Sequence, residues 1–143
     1  MSHKVVVIGG AGFIGSHLAD GLLKKGYDVH IVDTLVARGT ELVNPNATLH
    51  IVDMCDYEAL APLFVGATHV FHLAALPRVQ FSLEHPRETH EANVTGFLNV
   101  LIATKEAGVK RVVFSSSSSV YGDQDVMPLI ETNCGELSAS VTE

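Results

Sequence analysis

The sequence predicts an α/β fold, a parallel sheet wrapped by helices, and three observations carry that expectation. Short β-branched runs alternate with helix-spaced segments, a glycine-rich bend joins the first run to the first helix, and an acidic residue closes the second run. The first run, residues 4–9 (KVVVIG), is almost continuously apolar, as a strand buried on both faces of a parallel sheet must be. Residues 28–33 (DVHIVD), 48–53 (TLHIVD), 68–74 (THVFHLA) and 111–115 (RVVFS) read the same way. Between them, residues 13–25 carry Ile14, Leu18, Leu22 and Leu23 at helical spacing and stop near Gly26. Residues 57–65 form a short apolar segment, and residues 88–107 place Ala92, Gly96, Leu98, Leu101, Ile102 and Ala103 in helical register before Gly108. Such alternation implies right-handed crossovers between parallel strands. No repeat and no second domain is visible. Residues 123–143 show little periodicity and read as a loop or frayed tail, which leaves residues 1–122 as the domain.

Composition narrows the function. With 143 residues, 47% of them hydrophobic, the chain suits one domain with a real core. A net charge of −7 and nine scattered Lys and Arg residues provide no basic stripe, which argues against nucleic acid as a partner. Cys55 and Cys134 form no C-x-x-C pair and read as reduced structural thiols. No leader-like apolar segment opens the chain, and no stretch approaches the ~20 apolar residues of a membrane helix. A soluble, cytoplasmic protein without membrane contact is expected.

The bend at residues 9–15 (GGAGFIG) fits G-x-x-G-x-x-G at Gly9, Gly12 and Gly15, and also G-x-G-x-x-G from Gly10. A lone glycine pattern is weak, but this one lies between a strand and a helix, with Asp33 closing the second strand beyond it. An early glycine makes the tight turn, Gly12 lets backbone N–H groups reach a pyrophosphate, and Gly15 lets the helix pack on the strand. A β-carbon at Gly12 is expected to collide with a bound dinucleotide. Asp33 can accept hydrogen bonds from ribose hydroxyls and its charge repels a 2′-phosphate, which favours NAD over NADP, although Arg38 stands five residues away.

Five serines follow the last strand in FSSSSSVYG, residues 114–122. A linker reading fails because the run is fused to the buried-strand pattern of residues 111–114, and ligands of open α/β sheets bind at strand carboxyl ends. With GGAGFIG at 9–15, HLAA at 72–75 and EANVTGFLNVL at 91–101, these residues make the chain resemble the extended short-chain dehydrogenases/reductases. Within them it is similar to the NAD-dependent epimerase/dehydratase family, and most of all to its UDP-sugar 4-epimerases. The resemblance covers residues 4 to about 131 and implies a Rossmann-like three-layer fold, strand order 3-2-1-4-5, shortened at its C-terminal end. It implies an NAD site at Gly9, Gly12, Phe13, Ile14, Gly15 and Asp33, with Asp53 and Met54 holding the adenine. Leu73, Ala74 and Ala75 would line the phosphates and ribose, Asn93 would support that wall, and Ser115 and Ser116 would face the nicotinamide. Ser117 falls on the family's hydroxyl donor to the sugar, the implied substrate being a nucleotide sugar and the implied assembly a homodimer or larger homo-oligomer through the helix at 88–107.

One element is absent. The family's base is a tyrosine in Y-x-x-x-K, whose lysine lowers the tyrosine pKa from its usual ~10. Neither Tyr27 nor Tyr57 nor Tyr121 has a lysine four residues on, and Tyr121 has Asp125 there. The resemblance would place the tyrosine near Thr142, so the chain reads as a cofactor-binding portion without a substrate domain and with negligible turnover alone. A non-catalytic dinucleotide-binding or partner-subunit module, and a remnant that binds nothing, are the other readings. The helix that would cover the fifth strand is also missing, so an uncovered face is expected there.

The remaining features read as structural. Eight dispersed histidines do not suggest a metal; His85 and His90 sit too far round a helix to share a ligand face. His69 and His72 flank the fourth strand as packing residues, and Glu84, Glu88 and Glu91 read as a solvated helix start. Residues 77–80 read as a loop in which Arg78 either touches a substrate phosphate or lies idle on the surface.

Overall fold

A computed structural model describes residues 2–37, 39–122 and 127–130. Arg38, Asp125, Cys134 and the expected tail apart from residues 127–130 lie outside the described residues. Among the described residues five parallel strands run in the order β3-β2-β1-β4-β5, the expected Rossmann-like arrangement. They are β1 (Lys4–Ile8), β2 (Asp28–Asp33), β3 (Thr48–Ile51), β4 (Ala67–His72) and β5 (Arg111–Phe114). β1 is central, with Val6 paired to His30 on one side and Val70 on the other. Its valines are at most 1% exposed, which is why that run carries no polar alternation.

Each face of the sheet has its own core. Val5 and Val7, with Val29 and Ile31, pack against Ala19 and Leu22 of α1 (Phe13–Lys24). Val6, Ile8, Val32 and Val70 pack on the opposite side with Leu60, Phe64, Val100 and Ala103. The helices of that layer are α2 (Tyr57–Leu60) with a 3₁₀ turn at Ala61–Phe64, and a long helical segment running from α4 (Pro86–His90) to α5 (Phe97–Glu106). α3 (Val79–Glu84) precedes it.

The elements differ from expectation in four places. The segment at 57–65 tightens to 3₁₀ after Leu60 because Pro62 has no N–H to donate to an α-helical ladder. The helix expected at 88–107 begins earlier, where Pro86 supplies a favourable first position, and passes through a π-turn at Glu91–Gly96 before α5. The loop expected at 77–80 already enters α3 at Val79, with Arg78 as its exposed N-cap residue. β3 and β4 end two residues short of the predicted runs, and the chain beyond each turns into the cleft described below.

Among the described residues β5 pairs with β4 alone, and Val113 and Phe114 are 44% and 51% exposed. No helix of the described residues is long and apolar enough to cross a membrane.

Candidate functional site

The cleft forms where β1 stops. Gly9 turns with φ +78°, and a β-carbon there would lie 2.6 Å from the Ala74 nitrogen, so the bend and the loop after β4 touch through bare backbone. At Gly15 a β-carbon would sit 2.3 Å from the Gly9 carbonyl oxygen, so α1 can begin this close to β1 only with glycine. Gly12 differs. It is the N-cap of α1, and its β-carbon would meet only the Gly9 oxygen, at 3.3 Å, leaving the other side open to the cleft. Among the described residues no side chain caps α1, and the N–H groups of its first turn, at Phe13, Ile14 and Gly15, lie at the positive end of a twelve-residue helix.

Asp33 fastens this bend. Its Oδ2 accepts the Ala11 N–H at 3.0 Å and its Oδ1 accepts the Leu35 N–H at 2.8 Å. A carboxylate offers about four lone-pair directions, so two backbone donors leave capacity for hydroxyl groups from a ligand. Leu35 adopts φ +62°, rare outside glycine, directly after the acid.

Gly9, Gly12, Asp33, Asp53 and Met54 line a cleft of about 530 Å³ whose other wall is Leu73, Ala74 and Ala75. That volume lies in the range of ligand-sized clefts, at the carboxyl ends of parallel strands. Asn93 is not part of the lining. From the π-turn, its Oδ1 accepts the Leu76 N–H at 2.8 Å while its Nδ2 donates to the Leu76 carbonyl at 3.1 Å, pinning the β4 wall. π-turns inside helices are frequent at functional positions.

The structure keeps several other candidates out of the cleft lining. Phe13 and Ile14 stand outside the lining and are 62% and 65% exposed. Ser115 extends the β4–β5 ladder through its N–H to the His72 carbonyl at 3.1 Å, and Ser116 follows it on the exposed surface. Ser117 caps a 3₁₀ turn at Ser118–Tyr121; its Oγ accepts the Ser119 N–H at 3.2 Å and donates to the Ser119 Oγ at 3.1 Å. These serines are exposed.

Four contributors escaped the sequence reading. Ala11 matters through its N–H, and Leu76 and Glu88 join the lining, the latter from a helix start read as merely solvated. Asn99 donates to the carbonyls of Met54 and Cys55, both at 3.1 Å. It lies inside the EANVTGFLNVL motif, but nothing local ties it to residues 44 and 45 positions away.

Electrostatics separate the cleft from its surroundings. Burial, reinforced by Asp53, pushes the Cys55 thiol up to about 11, so it is an unreactive neighbour. His72 is 2% exposed and packs against both Phe97 and Phe114, ring centres at 4.7 and 5.7 Å, while those two rings stack on each other at 4.5 Å; burial lowers its pKa. Among the described residues, no three His, Cys, Asp or Glu side chains converge as metal ligands.

Comparison with known proteins follows the same outline. Residues 5–140 match the model of the NAD dependent epimerase/dehydratase family. The chain is 37% identical over 132 residues to a UDP-glucose 4-epimerase of Streptococcus mutans, covering 90% of this chain and 40% of that protein. It is 41% identical over 128 residues to one of Schizosaccharomyces pombe, covering 83% and 36%. Among solved structures, the UDP-glucose 4-epimerase of Thermotoga maritima with UDP-glucose superposes with a TM-score of 0.84 at 37% identity, over 91% of this chain and 43% of that one. The Thermus thermophilus enzyme in complex with NAD gives 0.82 at 37% identity, over 90% and 43%. The chain thus spans about two fifths of the length of these relatives.

Proposed function

Because the chain belongs to the NAD dependent epimerase/dehydratase family, we propose that its cleft binds NAD and that it is the cofactor-binding portion of a nucleotide-sugar epimerase or dehydratase. The observation that carries this reading is the fastened glycine bend: Asp33 holds the Ala11 N–H, Gly12 leaves the cleft side clear, and the uncapped start of α1 offers N–H groups to an anion. The bend is a cradle that a β-carbon at Gly12 would intrude upon, and the spare lone pairs of Asp33 suit ribose hydroxyls, so the residues present fit a dinucleotide without a 2′-phosphate.

In this reading Phe13, Ile14 and Gly15 contribute backbone to the diphosphate, and Asp53 and Met54 receive the adenine. Leu73, Ala74 and Ala75 follow the ribose and phosphates with Asn93 bracing them, and Ser115 and Ser116 stand on the nicotinamide side. Bound NAD supplies a hydride acceptor. Ser117 is the hydroxyl that would meet a sugar, in keeping with the UDP-glucose held by the Thermotoga maritima relative.

No tyrosine in the 143 residues has a lysine four positions on, so the given sequence does not hold the family's tyrosine base, and general base catalysis contributes typically ~10²- to 10⁴-fold. That feature favours, as second reading, a non-catalytic dinucleotide-binding or partner-subunit module. We further propose a cytoplasmic setting and a homodimer or larger homo-oligomer, supported by Val94, Leu98 and Leu101, which leave an apolar stripe exposed on the long helical segment.

Equilibrium titration with NAD, followed by incubation with UDP-glucose or UDP-N-acetylglucosamine, tests the proposal. Saturable NAD binding without 4-epimer product supports it. Clear turnover contradicts the missing-base inference, and the absence of NAD binding contradicts the whole reading.

A further inference from the structure

We propose that Asn99 is a positioning residue that sets the purine-facing wall of the cleft and thereby the preference for an aminopurine over an oxopurine base; this rests on the reading of the cleft as an NAD site. A primary amide has two N–H donors, and Asn99 gives both to consecutive carbonyls, Met54 and Cys55, at 3.1 Å each. Two adjacent carbonyls gathered by one amide fix the orientation of both peptide planes at that bend.

The same bend is tied from its other side, where Asp53 Oδ1 accepts the Cys55 N–H at 2.9 Å and the Asp56 N–H reaches the Asp53 carbonyl at 3.0 Å. Gly96, one helical turn before Asn99 and on the same helix face, completes the seat: a β-carbon there would stand 2.7 Å from Met54 Cγ and 3.3 Å from Cys55 Sγ. One stretch of helix therefore supplies a hollow for the Met54 side chain and an amide for its backbone. Met54 is only 8% exposed although it lines the cleft, and Asp53 beside it shares that lining.

The chemical consequence concerns the base. A carboxylate held at a fixed place accepts a hydrogen bond from an exocyclic amine and repels a carbonyl oxygen in the same position. Asn99 touches no ligand in this arrangement. It acts through the Met54–Cys55 peptide plane, whose Met54 carbonyl it holds and whose Cys55 N–H orients the Asp53 carboxylate.

The test compares NAD with its hypoxanthine analogue, in which the purine amine is replaced by oxygen, for the 143-residue chain and two variants. Asn99→Leu keeps the size and removes both donors; Asn99→Ala raises helix propensity and so guards against a folding failure. Both variants are expected to bind NAD about tenfold more weakly, the worth of roughly one hydrogen bond, while binding of the hypoxanthine analogue changes little. A collapse of the ratio between the two ligands supports the proposal. A parallel weakening of both, or an unchanged ratio in folded protein, overturns it and leaves Asn99 a plain structural tie. Failure of the unaltered chain to bind NAD overturns the parent reading and this one together.

Discussion

The Asp33 carboxylate and the Ala11 backbone are joined by a 3.0 Å hydrogen bond across 22 residues of sequence, so the acid at the end of β2 holds the glycine bend after β1 in place. In the proposed reading Asp33 has a second task, as acceptor on the ribose side, beside that of anchoring the bend. Asp33→Asn is nearly isosteric but sets an NH₂ group against either the Ala11 or the Leu35 N–H, whichever way the amide turns. A donor facing a donor costs about 1–3 kcal/mol. The variant is expected to melt earlier and to bind NAD more than ~10-fold more weakly; calorimetry and thermal melts read both.

The glycines separate by what a methyl group would meet. Gly12→Ala adds its carbon where only the Gly9 oxygen lies near, at 3.3 Å, so the fold should survive with a melting temperature close to that of the unaltered chain while NAD binding is lost or much weakened. Gly15→Ala drives its carbon to 2.3 Å from that oxygen and 2.7 Å from Gly10 Cα. Overpacking of this kind costs about 1–3 kcal/mol, so the second variant should lose stability with or without ligand. Circular dichroism melts with and without NAD distinguish the two patterns.

Acid should loosen the edge of the sheet. His50 on β3 shares a 2.9 Å hydrogen bond with His30 on β2, and its pKa is lowered by burial first, then by the charges of His30 and Lys4. A histidine whose folded pKa lies below its unfolded value of about 6.5 binds more protons when unfolded, so its stabilising contribution is full above that pH and is lost as pH falls through the folded pKa. The buried His72, also lowered, acts in the same direction. Melting temperature should therefore decline on going from pH 7.5 to 5.5, and His50→Gln should flatten the decline. An unchanged slope in that variant would remove His50 as a cause.

Much of this was legible in the sequence, and the limits are physical. The KVVV run reads as a central strand because both its faces are buried, and GGAGFIG reads as a bend because its outer glycines sit where a β-carbon would strike backbone. Asp33 was visible as the acid closing the second strand; its bond to Ala11 was not, because a backbone N–H carries no residue signature. The π-turn in EANVTG was hidden since its composition suits an α-helix equally well, and α3 was missed because Pro77 reads as a loop signal. The amide of Asn99 faces a loop that only the crossover topology brings near, about 45 residues back.

The most direct test is isothermal titration of the 143-residue chain with NAD, beside its Gly12→Ala form, up to millimolar ligand. Saturable heat with one NAD per chain, abolished or weakened at least tenfold by the added methyl group, is the expected result. No heat from the unaltered chain, or equal binding by the two forms, would contradict the assignment of the glycine bend as a dinucleotide cradle.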